Sequence, residues 1–190
     1  MNLPQLELVL KAVTADLCGH QGRQGQLSMS WLSLPVDEIV DRVRNGHVVD
    51  PENKLKLFQG TQSEIALRGR LEIVCKKLGL PWGDPETLSA YDGRLTGHTD
   101  GSIDGHVVEI KTVPNVDILN RLKSDGRVPF KVFSQVSAYM LWGSHKRAVV
   151  IYETRAEGAL WFCECLPNKR VEGELKEKAE KVLEIVHGRS

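Results

Sequence analysis

Net charge is what this sequence lacks most plainly, since 25 Lys and Arg are matched by 25 Asp and Glu. A polyanion would have to be held by a local basic patch, because the molecule as a whole sets up no attracting field. Cysteine is scarce as well: residues 18, 75, 163 and 165 include no CxxC pair, and no histidine follows at zinc-finger spacing. An iron–sulfur cluster would need all four to converge from distant parts of the chain. Their spacing points instead to reduced thiols packed as small hydrophobes. Long apolar runs are missing too. The first 20 residues are broken by Glu7, Lys11 and Asp16 and hold neither a signal-peptide core nor a membrane span. That predicts a cytoplasmic protein. There is no internal repeat and no low-complexity segment.

What is present suits one folded domain. Hydrophobic residues make up 41% and charged residues 26% of 190, an ordinary balance for a chain with a sizeable core. Residues 5–17 read as a short amphipathic helix and the Gly- and Gln-rich stretch 19–30 as a loop. The stretch 35–46 reads as a helix stopped by Gly46. From Gly60 to Leu80 the apolar residues Leu67, Leu71, Val74, Cys75 and Leu78 recur at helical spacing, and Gly79 ends the run.

Strand-like pieces follow over 87–93, 94–103 and 106–113, the last two joined by Asp104-Gly105, a strong two-residue hairpin signal. Residues 113–129 read as a polar connection holding at most a helical turn, and 130–143 as a helix. Residues 147–154 and 159–166 form an antiparallel pair. Val171, Leu175, Ala179, Val182 and Val186 mark a C-terminal helix. This order predicts one sheet covered by helices. It also predicts a helical and loop extension over 1–59, a core over 60–166 and a terminal helix over 167–190.

The hairpin poses the functional question. Alternation along a strand puts Val107, Glu109, Lys111 and Val113 on one face and Val108, Ile110 and Thr112 on the other. Closure at Asp104-Gly105 brings Asp100 near Glu109 and Lys111. Two acids and a lysine on a strand pair can be a solvated salt bridge. They also suit a divalent cation, which takes carboxylate oxygens and leaves positions for water and phosphate. The lysine can stabilise charge developing on a phosphate, and the Ile110 carbonyl is within reach of the same ion. His98 is a bystander on this reading, and Asp104 serves its turn.

These residues carry a resemblance. Asp100-x8-Glu109-x-Lys111 resembles the PD-(D/E)XK nucleases, and more specifically their RecB-like and phage lambda-exonuclease-like branch. There a G-x-x-D element precedes the E-x-K strand and a Q-x-x-x-Y element follows on a helix. Here these are Gly97-His98-Thr99-Asp100, Glu109-Ile110-Lys111 and Gln135 to Tyr139, with Gly60-Thr61-Gln62-Ser63-Glu64 upstream. The resemblance spans 60–166. It implies an α/β (α+β) restriction-endonuclease-like core, a central mixed β-sheet flanked by helices in the order α-β-β-β-α-β.

It further implies a Mg²⁺- or Mn²⁺-dependent deoxyribonuclease using one or two ions. Asp100, Glu109, Lys111 and Gln135 would be catalytic; Glu64, Asp100, Glu109 and the Ile110 carbonyl would hold metal. Glu64 departs from the branch's usual histidine, and Thr61-x-x-Glu64 also reads as a capping box. Arg121, Lys123, Arg127, Lys131 and Tyr139 would contact substrate, with Arg68 and Arg70 adding to the patch. Trp31, Trp82 and Trp142 are packing residues by default. DNA, a strand-annealing or single-strand-binding protein and further copies of the chain are the partners implied. An endonuclease, an iron–sulfur RecB-type nuclease and a catalytically silent binding module are the alternatives.

Overall fold

A computed structural model describes residues 25–47 and 51–188. The helix expected over 5–17, and Cys18, lie outside the described residues. Helix α1, Val36–Asn45, starts after Pro35 and stops at Gly46, whose φ of 78° no β-carbon favours. Helix α2 runs from Pro51 to Leu78, well upstream of the start expected at Gly60. The preceding Asn-Lys-Leu-Lys-Leu-Phe-Gln segment contains good helix formers that carry the helix through one glycine. Thr61 and Glu64 are therefore interior residues of α2, and the capping-box reading falls. Of the apolar stripe, Leu67 and Cys75 are buried, whereas Val74 and Leu78 are exposed.

The strands form two sheets rather than the single one expected. In the smaller, β1 (Leu27–Ser28) pairs parallel with β4 (Leu95–His98), which pairs antiparallel with β3 (Thr87–Ala90). The larger has the order β2 (Trp82–Gly83), β5 (Ser102–Ile103), β6 (His106–Val113), β7 (Arg147–Thr154) and β8 (Leu160–Cys165). Only β6 and β7 run parallel in it. The strand anticipated over 94–103 is thus split. Thr99–Gly101 depart from regular strand geometry while Asp100 and Gly101 still bond Val108 through their backbone, and Gly101 sits at φ 131° with space for no side chain: a β-carbon there would lie 2.8 Å from the Trp82 ring. The Asp104-Gly105 turn is as expected, with φ of 48° and 76° between the paired Ile103 and His106.

The connection 113–129 also holds more than a turn. It contains helix α3, Val116–Asp125, capped by the Asn115 side chain and ended by left-handed Gly126. Leu119 is its one fully sequestered anchor. Helix α4, Phe130–Trp142, and helix α5, Lys169–His187, match their expected positions.

Strand β6 has a different core on each face. Val107 and Val113 belong to the main cluster with Val136, Tyr139 and Met140 of α4 and Leu175 and Val182 of α5. Val108 and Ile110 pack with Ile151 and Leu67 in a small cluster beneath α2. Leu27, Met29, Leu32, Ile39 and Val43 are in the main core as well, so residues 27–45 fold onto the same centre as the strands. No helix among the described residues is long and apolar enough to cross a membrane.

Gly97 shows how tightly the main core is set around β4. A β-carbon there would stand 2.6 Å from the Met29 sulfur and 2.9 Å from Cε1 of Tyr139, and both residues are buried. Gly97→Ala is expected to destabilise the protein by about 1–3 kcal/mol, read as a lower urea midpoint with an unchanged m-value.

Candidate active site

The three acidic residues are supplied by three segments. Asp100 comes from the irregular Thr99–Gly101 link, Glu109 from the middle of β6 and Glu64 from α2. Asp100 is fixed by its own backbone and side chain. Its N–H donates to the Val108 carbonyl at 3.1 Å, and its Oδ2 accepts from the Ile110 N–H at 2.6 Å. Thr99 beside it exchanges two 3.0 Å bonds with the Glu86 backbone. A carboxylate therefore occupies the place that a continuing strand would have taken. In a strand the N–H and C=O of one residue face the same edge. The Ile110 carbonyl accordingly faces the edge that Asp100 caps.

Glu109 is 3% exposed and ion-paired with Lys111 two residues on. Burial pushes its carboxyl up, Lys111 pulls it back and Asp100 raises it again, to about 7. Burial alone would lower the Lys111 ammonium, but Glu109, Asp100 and Glu64 together hold it above an ordinary lysine. Glu64 is pushed up to about 8, first by burial and then by Asp100, with which its carboxyl can share a hydrogen bond; Arg68, 3.8 Å away, opposes this only in part. These are acids crowded beyond what their cations neutralise.

Gln135 and Tyr139 lie one turn apart on α4, where the Gln135 amide donates to the Tyr139 hydroxyl at 2.6 Å. The same amide helps hold the Glu109 carboxyl down, behind the larger effects of burial, Lys111 and Asp100. Tyr139 is buried, and burial followed by Glu109 drives its phenol well above the usual range. Within this structure it is an internal support of Gln135 rather than an exposed contact.

A cleft of about 540 Å³ is lined by Lys111, Thr112 and Ile110 from β6, by α2 residues between Asn53 and Glu64, and by His47 and Arg155; Asp100, Glu109 and Gln135 are not among its lining residues. Lys131 stands near enough to His47 to help lower its pKa, behind burial and Arg42. Arg121, Lys123 and Arg127 are exposed and are not among the cleft's lining residues. Arg68 leans on Glu64, and Arg70 is ion-paired with buried Glu153. Trp31 and Trp142 pack against the core.

Asn53, Lys56 and Arg155 were not anticipated. Asn53, Lys56, Gly60 and Glu64 recur every three or four residues, so a helix begun at residue 51 would have placed all four on one face. Arg155 gives no local signal, because the β7–β8 turn reaches the site only by its N–H bonding Val113 O at 2.9 Å.

The donor set fits a hard divalent cation in kind: carboxylate and carbonyl oxygens, partly desolvated and under-neutralised. Among the described residues no three His, Cys, Asp or Glu side chains already form a ready-made cage. Glu109 is engaged by Lys111, and one Asp100 oxygen is taken by Ile110. The same holds for cysteine: Cys75 and Cys165 are buried apart in α2 and β8, and Cys163 is half-buried.

No family model matches the chain, and no curated protein matches it in sequence. Solved structures do resemble it. An alkaline exonuclease from Laribacter hongkongensis superposes with a TM-score of 0.65 at 12% identity, over 90% of this chain and 94% of that one. The same exonuclease in complex with dAMP gives 0.66 at 13%, over 85% and 88%. A phage-related exonuclease from Haemophilus somnus 129PT gives 0.55 at 11%, over 84% and 92%. The chain has the fold of these exonucleases.

The crowded acids set a pH dependence for the metal-free protein. Unfolded, Glu64 and Glu109 titrate near 4.5; folded, they stand at about 8 and about 7. Their protonated forms are favoured on folding, so this stabilisation is complete below the unfolded value and is lost as pH rises through 7 to 8. The melting temperature in EDTA is expected to fall between about pH 5 and pH 8. Glu64→Gln should flatten that fall, and an unchanged slope in the variant would contradict the assignment.

Proposed function

We propose that this protein is a divalent-metal-dependent deoxyribonuclease, acting as an exonuclease. The observation that carries the reading is the meeting of Asp100, Glu109 and Lys111, with Glu64 beside them, next to a cleft whose lining includes Lys56, Lys111 and Arg155. The fold shared with two exonucleases supports it.

Glu64, Asp100, Glu109 and the Ile110 carbonyl would hold one or two Mg²⁺ or Mn²⁺ ions. When bound, such an ion supplies Lewis acidity, stabilising charge on the phosphate and making water more acidic. The chain's own groups do the rest. Lys111, kept protonated by Glu109, places a cation where charge develops on the phosphodiester and orients the attacking water by donating to it. Its raised pKa favours this role over that of a general base. Gln135, braced by Tyr139, holds the Glu109 carboxylate in one orientation. Lys131 at the start of α4, with Arg121, Lys123 and Arg127 on α3 and its exit, would contact the DNA backbone. That the Laribacter enzyme of the same fold was solved in complex with dAMP supports a nucleotide-containing substrate.

Pairing with a strand-annealing or single-strand-binding protein in recombination, and closure of the channel by further copies of the chain, belong to the same reading. Digestion of linear and closed-circular duplex with Mg²⁺ or Mn²⁺ tests it. Degradation of the linear form alone is expected, with at least ~100-fold loss in Lys111→Ala. Cutting of the circle would make it an endonuclease. Absence of any Lys111-dependent cleavage would leave a binding module.

A further inference from the structure

We infer that Phe130 is a stacking platform for an unpaired nucleobase of a DNA strand entering the cleft. The inference rests on the nuclease reading for its substrate but on separate observations for its site. Phe130 is 60% exposed, although it opens a helix whose following residues Val132 and Phe133 pack on the core. Pro129, extended at φ −55° and ψ 145°, sets the entry into α4, so the ring stands on a stiff support rather than a loose loop. Val128 just before it is buried, which anchors that support from the other side.

The position relates the ring to the site. Lys131, the next residue, stands one helical turn before Gln135, whose amide donates to the buried Tyr139 hydroxyl. Lys131, Gln135 and Tyr139 follow one another by single turns of α4, so the helix leads from Phe130 inward to Glu109. Arg127 and Lys131 bracket the ring and are both exposed. The nearest acid in the chain, Asp125, lies outside that bracket. An exposed apolar ring flanked in sequence by two exposed cations is complementary to a single strand, whose bases stack on aromatic faces while its phosphates meet Lys and Arg. A paired base keeps its faces inside the duplex, so the platform serves an end that is frayed or overhanging.

The test is binding without turnover, in the Lys111→Ala background with Ca²⁺ present. A fluorescein-labelled oligothymidylate and an abasic oligonucleotide of equal length serve as probes. Phe130→Ala is expected to weaken oligothymidylate binding about tenfold or more and to leave the abasic probe unaffected. Phe130→Leu, apolar but unable to stack, should behave like the alanine variant. Phe130→Trp should bind normally, and its added fluorescence should be quenched by oligothymidylate and not by the abasic probe; this readout survives even where the alanine variant folds poorly. Equal affinity of Phe130→Ala and its parent for oligothymidylate, or quenching of Phe130→Trp by both probes alike, would overturn the inference. Cleavage by the wild-type protein is scored separately, so a protein that degrades duplex but shows no Phe130 effect loses this inference alone. A protein that binds the base through Phe130 but never cleaves loses the catalytic reading alone.

Discussion

The hydrogen bond from the Ile110 N–H to the Asp100 carboxylate, 2.6 Å long, is the contact on which the site turns. It replaces one rung of a β-ladder by a charged side chain. By doing so it ends strand pairing, fixes a carboxylate against the edge of β6 and leaves the Ile110 carbonyl facing the same edge. The neighbours of Asp100 are shaped to permit it. Gly101 takes a backbone angle and a proximity to Trp82 that no other residue would tolerate, and Thr99 is locked to Glu86 from both directions. An aspartate held this way keeps its geometry at the expense of an acid cluster that its surroundings do not neutralise.

The surrounding helices divide the remaining work. Helix α2 brings Glu64 across the open edge and walls the cleft, anchored at Leu67 and Cys75. Helix α4 presents Gln135 and Tyr139 from the opposite face of β6, where the amide donates to the hydroxyl. The two cores of β6 are therefore also the two supports of the site. Repulsion among Glu64, Asp100 and Glu109 is endured because Glu64 is carried by packed α2, Glu109 by the buried strand β6, and Asp100 is bonded to that strand's backbone.

Much of this was legible in the sequence, for local reasons. The Asp104-Gly105 turn needs only two left-handed residues, and the β6 alternation needs only its own side chains, so hairpin and Glu109–Lys111 face could both be read directly. Helix α4 and the β7–β8 pair were equally plain from periodicity. Three things were not. The start of α2 was hidden because Gly60 looks like a boundary. Helix α3 was hidden because its surface is polar and only Leu119 is fully buried. The break at Thr99–Gly101 was hidden because it depends on a side chain bonding a backbone ten residues later. Arg155 and His47 reach the cleft only through tertiary contacts, and no window of sequence contains that information.

The parallel pairing of β6 with β7 bears on how the site is assembled in time. The β5–β6 hairpin closes across two residues, whereas β6 and β7 are joined by the whole crossover of α3 and α4. Loop-closure entropy rises with the logarithm of the connection length, and ladders between sequence-distant strands form slowly. Asp100, Glu109 and Lys111 thus meet by an early, local event, while Gln135 and Tyr139 arrive with the crossover. A chain caught between those two events would already hold Asp100, Glu109 and Lys111 together on a bare strand pair, with the helix that carries Gln135 still missing.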